Sequence, residues 1–471
     1  MERDAANIAP LIPSREPCHA ARELFTLAAV ERYYFPQRLG KEGRRIGNRI
    51  VLTTHGSLGD LHPYLAIALG LKARGHKPVL ATSEYYRRTI EAAGIEFHAV
   101  RPDITFHDKA LQRRLIEPKR GVERVVREVM LPVLRTTYDD LMAAVQKDGG
   151  ADLLISHLLI FAAPLIAEKT GIRWVSTELQ PGAFISAYDP PVLAPIPALA
   201  KLRALGAPFH RALFRLARLA ARSLSDPVRQ LRRELGLPPG TDPIFEGRHS
   251  PQLVLALFSR VMGEPQPDWP ANTLVTGFPF YEENGASLPP ELLQFLAAGE
   301  PPIIFTLGSS VVWDAGSFYV ESAVAVRKLG KRAVLLVGHD PLNQPLELLS
   351  ENLFAVPYAP YAQIFPRASA IVHHGGIGTT GHSLRAGKPM LVMPYGGDQY
   401  DNGARVARLG VGRVMRRNHY RAERAVIEID QLLENPNYMK QAATIGQQMQ
   451  RENGVWAVCD AIEKHLQTKK G

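Results

Sequence analysis

The stretch His373-His-Gly-Gly-Ile-Gly-Thr-Thr380 gathers glycines and hydrogen-bond donors at one turn. It follows the apolar run Ala370-Ile-Val372 and precedes a helical segment, so it reads as a strand-to-helix junction. Gly375, Gly376 and Gly378 let backbone N–H groups approach a ligand with no Cβ in the way. The helix that opens there adds unpaired N–H groups and the positive end of a dipole. Thr379 and Thr380 contribute hydroxyls, and His374 contributes a ring N–H. Such a turn can cradle a diphosphate; a tight turn with glycine chosen for packing is the plain alternative. No Gly-Lys-Ser/Thr follows, so this is not a Walker loop. Its place deep in the chain also sets it apart from the dinucleotide GxGxxG of a first βα turn.

Two further stretches carry usable chemistry. Pro394-Tyr-Gly-Gly-Asp398-Gln399-Tyr-Asp-Asn402 joins a carboxylate to an amide at a strand end, a set able to hold sugar hydroxyls. Asp398 also fits the N-cap of a helix over Gln399 to Arg408. Near the start, the strand Arg49-Ile-Val-Leu-Thr-Thr54 runs into His55-Gly-Ser-Leu-Gly-Asp60. Asp60 is a cleft carboxylate on one reading and the N-cap of a helix beginning near Leu61 on the other.

The elements that must position these residues alternate. After the first strand come a helix through Tyr64 to Arg74 and the strand Pro78–Thr82, a βαβ unit of a parallel sheet. Strands recur at Leu153–Ser156 and Trp174–Thr177. A Pro/Gly-rich stretch near Gly277 to Pro290 separates these from strands at Ile303–Leu307, Ala333–Val337, Phe354–Val356, Ala370–Val372 and Met390–Met393. The expected fold is α/β: two doubly wound, Rossmann-like domains in tandem, with ligands in the cleft between them. Residues 1–47 read as an extension, 48–282 as the first domain, 283–300 as the linker and 301–455 as the second domain. Residues 456–471 read as a C-terminal helix that returns to the first domain.

At 471 residues and 46% hydrophobic, the chain is too long for one core and too apolar for disorder. Two cysteines, far apart, form no disulfide framework, and a reducing cytoplasm is expected. No apolar run is long enough to span a bilayer, and no secretory leader is expected. The net charge of +10 suits nucleic acid, anionic lipid or phosphorylated small molecules. With no zinc finger, aromatic RNA-binding stretch or long basic block, nucleic acid is the weakest of these.

"HHGGIGTT…AGKP…MPYGGDQYDN" resembles the donor-site motif of inverting GT-B-fold glycosyltransferases that use nucleoside-diphosphate sugars. "GSLGDLHP", Gly56 to Pro63, resembles their first-domain signature. The likeness spans residues 49 to 415. "SPQLVLALF", "TGFPFY" and "ELLQFLAAGEPPIIFTLGSS" resemble the bacterial rhamnosyltransferases that make rhamnolipids, and sterol glucosyltransferases are a more distant likeness. The resemblance implies a pyrophosphate held by His374, Gly375, Gly376, Gly378, Thr379 and Thr380, with Gly308 and Ser309 on its phosphate side. It implies a nucleobase stacked on Tyr358 beside the main chain of Ala359, and a sugar gripped by Asp398 and Gln399. It places Asp60 as the general base that draws the proton from an acceptor hydroxyl, with Gly59 beside it as a substrate-binding residue. The anomeric centre is then inverted with no metal and no cofactor beyond the donor. Plant-type relatives carry a ribose-binding Glu eight residues after the motif histidine. Here His382 stands there, which leans toward dTDP-sugars while leaving UDP-sugars open. His55 and His62 read as structural.

The loop Gln180 to Pro197 is proline-rich and apolar, and points to a hydrophobic small-molecule or lipid acceptor. Downstream, Phe209, Leu213, Leu216 and Ala220 form a helical stripe opposite Arg211, Arg215, Arg218 and Arg222. That pattern fits a helix packed on its own domain, and it also fits peripheral contact with the inner membrane face. Other readings of the whole are a non-catalytic nucleotide-sugar-binding subunit and a nucleotide-sugar epimerase of the same fold.

Overall fold

Short apolar strands alternate with helices through the computed structural model, which describes residues 47–103, 108–282 and 287–468. The expected extension, but for Gly47, lies outside these residues. So do residues 283–286 of the expected linker and residues 469–471 of the expected C-terminal helix. The first sheet comprises β1 (Arg49–Thr53), β2 (Lys77–Thr82), β3 (Glu96–Ala99), β4 (Leu153–His157), β5 (Arg173–Glu178), β6 (Leu253–Ala256) and β7 (Thr273–Val275). The second comprises β8 (Ile303–Thr306), β9 (Ala333–Leu336), β10 (Leu353–Val356), β11 (Ala370–His373), β12 (Met390–Val392) and β13 (Gly412–Val414).

Every pairing within both sheets is parallel. The orders are β3-β2-β1-β4-β5-β6-β7 and β10-β9-β8-β11-β12-β13. These are the two doubly wound lobes that the alternation predicts. In each, the order turns back at one place, β1/β4 in the first and β8/β11 in the second, which opens a crevice beyond the carboxyl ends of those strands. β1, β4, β8 and β11 are buried along their whole length. Helices cover both faces of each sheet, so these central strands read as continuous apolar runs.

Seven helices matter here: α1 (Leu58–Ala73), α2 (Lys109–Leu115), α3 (Gly206–Ala220), α4 (Pro290–Ala297), α5 (Ile377–Arg385), α6 (Gln399–Arg408) and α7 (Gly454–Gln467). α4 falls inside the stretch read as linker. Its Leu292 is fully buried in the second lobe's core with Ile304, Val334 and Ile371. α7 lies on α1: Arg74, at the end of α1, reaches Asp460 at 2.5 Å and Glu463 at 2.9 Å. Across the cleft, α2 pairs Lys109 with Asp340 at 2.6 Å and Arg113 with Asp314 at 2.7 Å.

α3 departs from expectation. The face it packs inward carries His210 and Phe214. The stripe expected to be packed is instead turned outward at Phe209, Leu216 and Ala220. Tertiary packing has chosen a face about 100° round from the one the leucines mark.

Candidate active site

Because β8, β11 and β12 are neighbours, the loops after them meet at one edge. His373 pairs with Thr306 of β8 on one side and Val392 of β12 on the other. The residue after it, His374, is therefore hemmed in by two loops. A Cβ added at Gly308 or at Gly376 would come closer than 3.0 Å to its ring. Gly308 also has a φ of +63°, so glycine is required there on two counts. Burial pushes the His374 imidazole down to about 3, which leaves it neutral. Its Nδ1 has no hydrogen-bond partner among the described residues.

α5 opens at Ile377 from Gly376, with no side chain capping its first turn. Beyond the Ile377 N–H, which faces the Asp398 carboxylate, the N–H groups of that turn are available to an anion. Gly378 faces open space. The Thr380 hydroxyl is buried without a partner among the described residues. Thr379 engages Tyr361, whose hydroxyl is also 3.0 Å from Thr306 Oγ1. Ser309 sits half-buried just after Gly308. Tyr358, 50% exposed, and the fully buried Ala359 follow β10, two strands from β8 on the same sheet edge.

Asp398 does not cap α6 with its side chain, contrary to the N-cap reading. Its carboxylate turns to Asn402, accepting from Nδ2 at 2.7 Å, and lies against the backbone N–H of Ile377 at the start of α5. Burial raises its pKa to about 6. Asn402 also donates to the Gly375 carbonyl at 3.0 Å, so one amide ties the two motif loops together. Gln399 is 6% exposed. Its carbonyl oxygen accepts from the Tyr395 and Gly396 N–H groups at 2.8 and 3.2 Å. What Gln399 can still offer a sugar is its amide nitrogen.

Facing this edge, α1 leaves β1 through a turn that Asp60 organises. The Ser57 N–H donates to Asp60 Oδ2 at 2.8 Å, and Ser57 Oγ accepts from the Gly59 N–H at 3.2 Å, a reciprocal capping box. Gly56 has a φ of +141°, and a Cβ there would collide with the Asp60 carboxylate. The N-cap is therefore Ser57 and not Asp60: α1 begins at Leu58, three residues before the expected start, and Asp60 closes the box from its third position while remaining partly exposed. Burial raises its pKa to about 7 against the opposing Ser57 N–H, and the charge of Asp398 on the other lobe pushes it the same way. α1 packs against α5 and against the turn that begins at Gly308, so Asp60 stands beside the donor-motif edge of the second lobe. His55 and His62 are held neutral by burial, each near 4. His62 lies 5.0 Å, ring to ring, from Tyr281. His382 packs against Phe280 at 4.5 Å and Tyr361 at 5.7 Å.

The proline-rich loop after β5 is bound to the opposite lobe, a feature absent from the sequence reading. Arg405 of α6 donates from Nη1 to Asp189 at 2.6 Å and to the Met262 carbonyl at 2.8 Å, and from Nε to Asp401 at 2.7 Å. Asp401 in turn accepts from the Val192 N–H at 2.9 Å. A cavity of about 210 Å³ lies between this loop, α3 and α6, lined by Val192, Leu193, Phe214 and Arg408 among others. None of its lining residues belongs to the donor-motif turn. Among the described residues, no three His, Cys, Asp or Glu side chains are grouped as a metal site requires.

Residues 50–188 match the glycosyltransferase family 28 N-terminal domain. Residues 333–462 match the erythromycin biosynthesis protein CIII-like C-terminal domain. The chain is 31% identical over 435 residues to the O-mycaminosyltylonolide 6-deoxyallosyltransferase of Streptomyces fradiae, covering 89% of this chain and 98% of that protein. It is 30% identical over 437 residues to a sterol 3-beta-glucosyltransferase of Glomerella lagenarium, covering 90% of this chain but 29% of that longer protein. Its fold is similar to the solved glycotransferase of kitacinnamycin, with a TM-score of 0.67 at 20% identity over 89% of this chain and 99% of the other. It is also similar to glycosyltransferase VinC in complex with dTDP, with a TM-score of 0.65 at 20% identity over 89% of this chain and all of the other.

Proposed function

This chain belongs to the GT-B-fold glycosyltransferases, and from that premise we propose that it moves a hexosyl group from a dTDP- or UDP-sugar to a hydroxyl of a hydrophobic acceptor. The observation that carries the reading is the packing of α1, which bears Asp60, against α5 and the Gly308 turn of the other lobe. It sets a candidate base on one lobe opposite the sugar-holding group on the other.

The donor diphosphate lies on the first turn of α5, with the unpartnered Nδ1 side of the neutral His374 and the Thr380 hydroxyl turned to its oxygens. The nucleobase reaches along the sheet edge toward Tyr358. Asp398 and the Gln399 amide nitrogen take the sugar hydroxyls. Asp60 accepts the acceptor's proton as that oxygen attacks the anomeric carbon. The nucleoside diphosphate leaves from the opposite face, so the configuration inverts. Negative charge developing on the leaving group is met by groups already in place.

Two kinds of relative support the choice of substrates. A dTDP complex of VinC suits a donor site without a ribose-binding Glu, since His382 occupies that position inside an aromatic cluster. Relatives named for tylonolide and sterol acceptors suit a polycyclic or lipid alcohol. A donor panel that includes UDP-glucose and dTDP-rhamnose, set against sterol, macrolide and hydroxy-acyl alcohols and read by mass spectrometry, tests the proposal. A glycosylated product is expected with a hydrophobic alcohol. Donor interconversion without any acceptor product would establish the epimerase reading instead.

His374→Ala is expected to weaken binding of free dTDP or UDP by about ten- to a hundredfold, the worth of a hydrogen bond to a charged group. Titration calorimetry measures it directly, and unchanged affinity would take His374 out of the phosphate site.

A further inference from the structure

From Pro197 to Ser225 the chain holds six basic residues (Lys201, Arg203, Arg211, Arg215, Arg218 and Arg222) and no Asp or Glu. α3 forms the middle of this stretch and anchors itself through His210 and Phe214. At 100° per residue, Phe209, Leu216 and Leu219 then fall along a stripe away from the anchor, and Leu205 precedes the helix. All four face solvent, Leu216 at 65% and Leu219 at 66% exposure. The arginines at 211, 215, 218 and 222 occupy the strip between the anchor and the leucines. The preceding loop extends the apolar patch with Leu193 and Ile196, both exposed.

We infer that α3 is a membrane-docking element that lies in the plane of an anionic bilayer surface. Its leucines and Phe209 enter the headgroup boundary, and Arg215 and Arg222 meet lipid phosphates. Charge complementarity selects this occupant. Arg218 is paired with Glu246 at 3.0 Å and Arg211 stacks on Tyr188, so Arg215 and Arg222 are the cations turned to an outside anion. Such cations beside exposed leucines, in a chain of net charge +10, are the pattern of an interfacial helix. The N-terminal residues 1–46 are themselves net basic. Among the described residues no helix is long and apolar enough to cross a membrane, so the contact is peripheral. The inference stands apart from the choice of donor or acceptor.

Co-sedimentation of the full chain with vesicles tests it. Binding is expected to vesicles of phosphatidylcholine mixed with phosphatidylglycerol, with little to phosphatidylcholine alone and a marked loss in high salt. Arg215→Gln with Arg222→Gln should weaken binding roughly thirtyfold, given the typical contribution of each basic side chain near an anionic surface. Leu216→Gln with Leu219→Gln should weaken it at least tenfold while leaving the thermal transition in place, since both side chains are exposed. No binding to the anionic vesicles, or binding by both double variants as tight as the parent's, would overturn the inference. So would a solution dimer that Leu216→Gln with Leu219→Gln splits, because the patch would then belong to a second copy.

Discussion

Asp60→Asn should turn over at least about a hundredfold more slowly than the parent chain while binding the nucleoside diphosphate equally well. The substitution is diagnostic because of what it preserves. An asparagine Oδ1 can still accept from the Ser57 N–H, so the capping box that organises α1 survives. If Asp60 served only as a cap, turnover in this variant would be near normal. As a base it must be ionised, and with its pKa raised to about 7 the parent's kcat/KM should climb with pH and level off above that value. The variant should lack this limb.

Stability should move the other way. A carboxyl whose folded pKa lies above its unfolded value contributes stability that is fully present below about pH 4. That contribution is gone once pH has passed about 7. Asn carries no such penalty, so Asp60→Asn should raise Tm relative to the parent, by little at pH 4 and most at pH 8. A variant slower in turnover yet firmer at high pH is the mark of a carboxylate held at a cost for chemistry.

The parts of this molecule that could be read in advance are those governed by local pattern. β1, β8 and β11 are runs of four or five apolar-rich residues closed by glycine turns, and each lies where the alternation places it. The edge strands β3, reading Glu-Phe-His-Ala, and β13, reading Gly-Arg-Val, were not expected: each is short and half polar, and the sheet edge recruits it by hydrogen bonding. The apolar β6, Leu-Val-Leu-Ala, and β7, Thr-Leu-Val, were not expected either. The motif turn could be placed because a strand, glycines and a helix start are contiguous in the chain.

What the side chains do with one another was harder to read. Gln399 spends its carbonyl on its own turn, and Asp398 turns from its helix N–H groups to Asn402. α3 shows the same limit at larger scale: its apolar period was plain, but which face packs depends on a cavity wall built from the proline-rich loop and α6.

The tie between the lobes was the least legible feature and should have the largest effect on stability. Asp189 and Arg405 are 216 residues apart, and nothing in either neighbourhood marks the pair. Side-chain exposure is 3% for Arg405, 4% for Asp401 and 10% for Asp189. Burial alone would raise the Asp189 pKa, but Arg405 and Arg203 outweigh it and hold the value below the usual range.

Arg405→Met removes the central cation and keeps much of its volume. Asp189 retains Arg203 nearby, while Asp401 is left with the Val192 N–H. Breaking a buried pair this way costs about 3–5 kcal/mol, to be read as a lower midpoint in urea at pH 7. A depressed carboxyl contributes stability above its unfolded pKa and loses it as pH falls. The gap between parent and variant should therefore narrow below about pH 4. Adding Asp401→Asn should recover part of the loss, since the stranded charge is then gone. The same variant separates stability from function: the loop from Gln180 to Pro197 loses its hold on α6, whereas the α5 turn and Asp398 are untouched. Acceptor KM should rise and donor affinity should stay as it was. An equal fall in donor affinity would mean that Arg405 supports the donor site itself, not the loop that faces it.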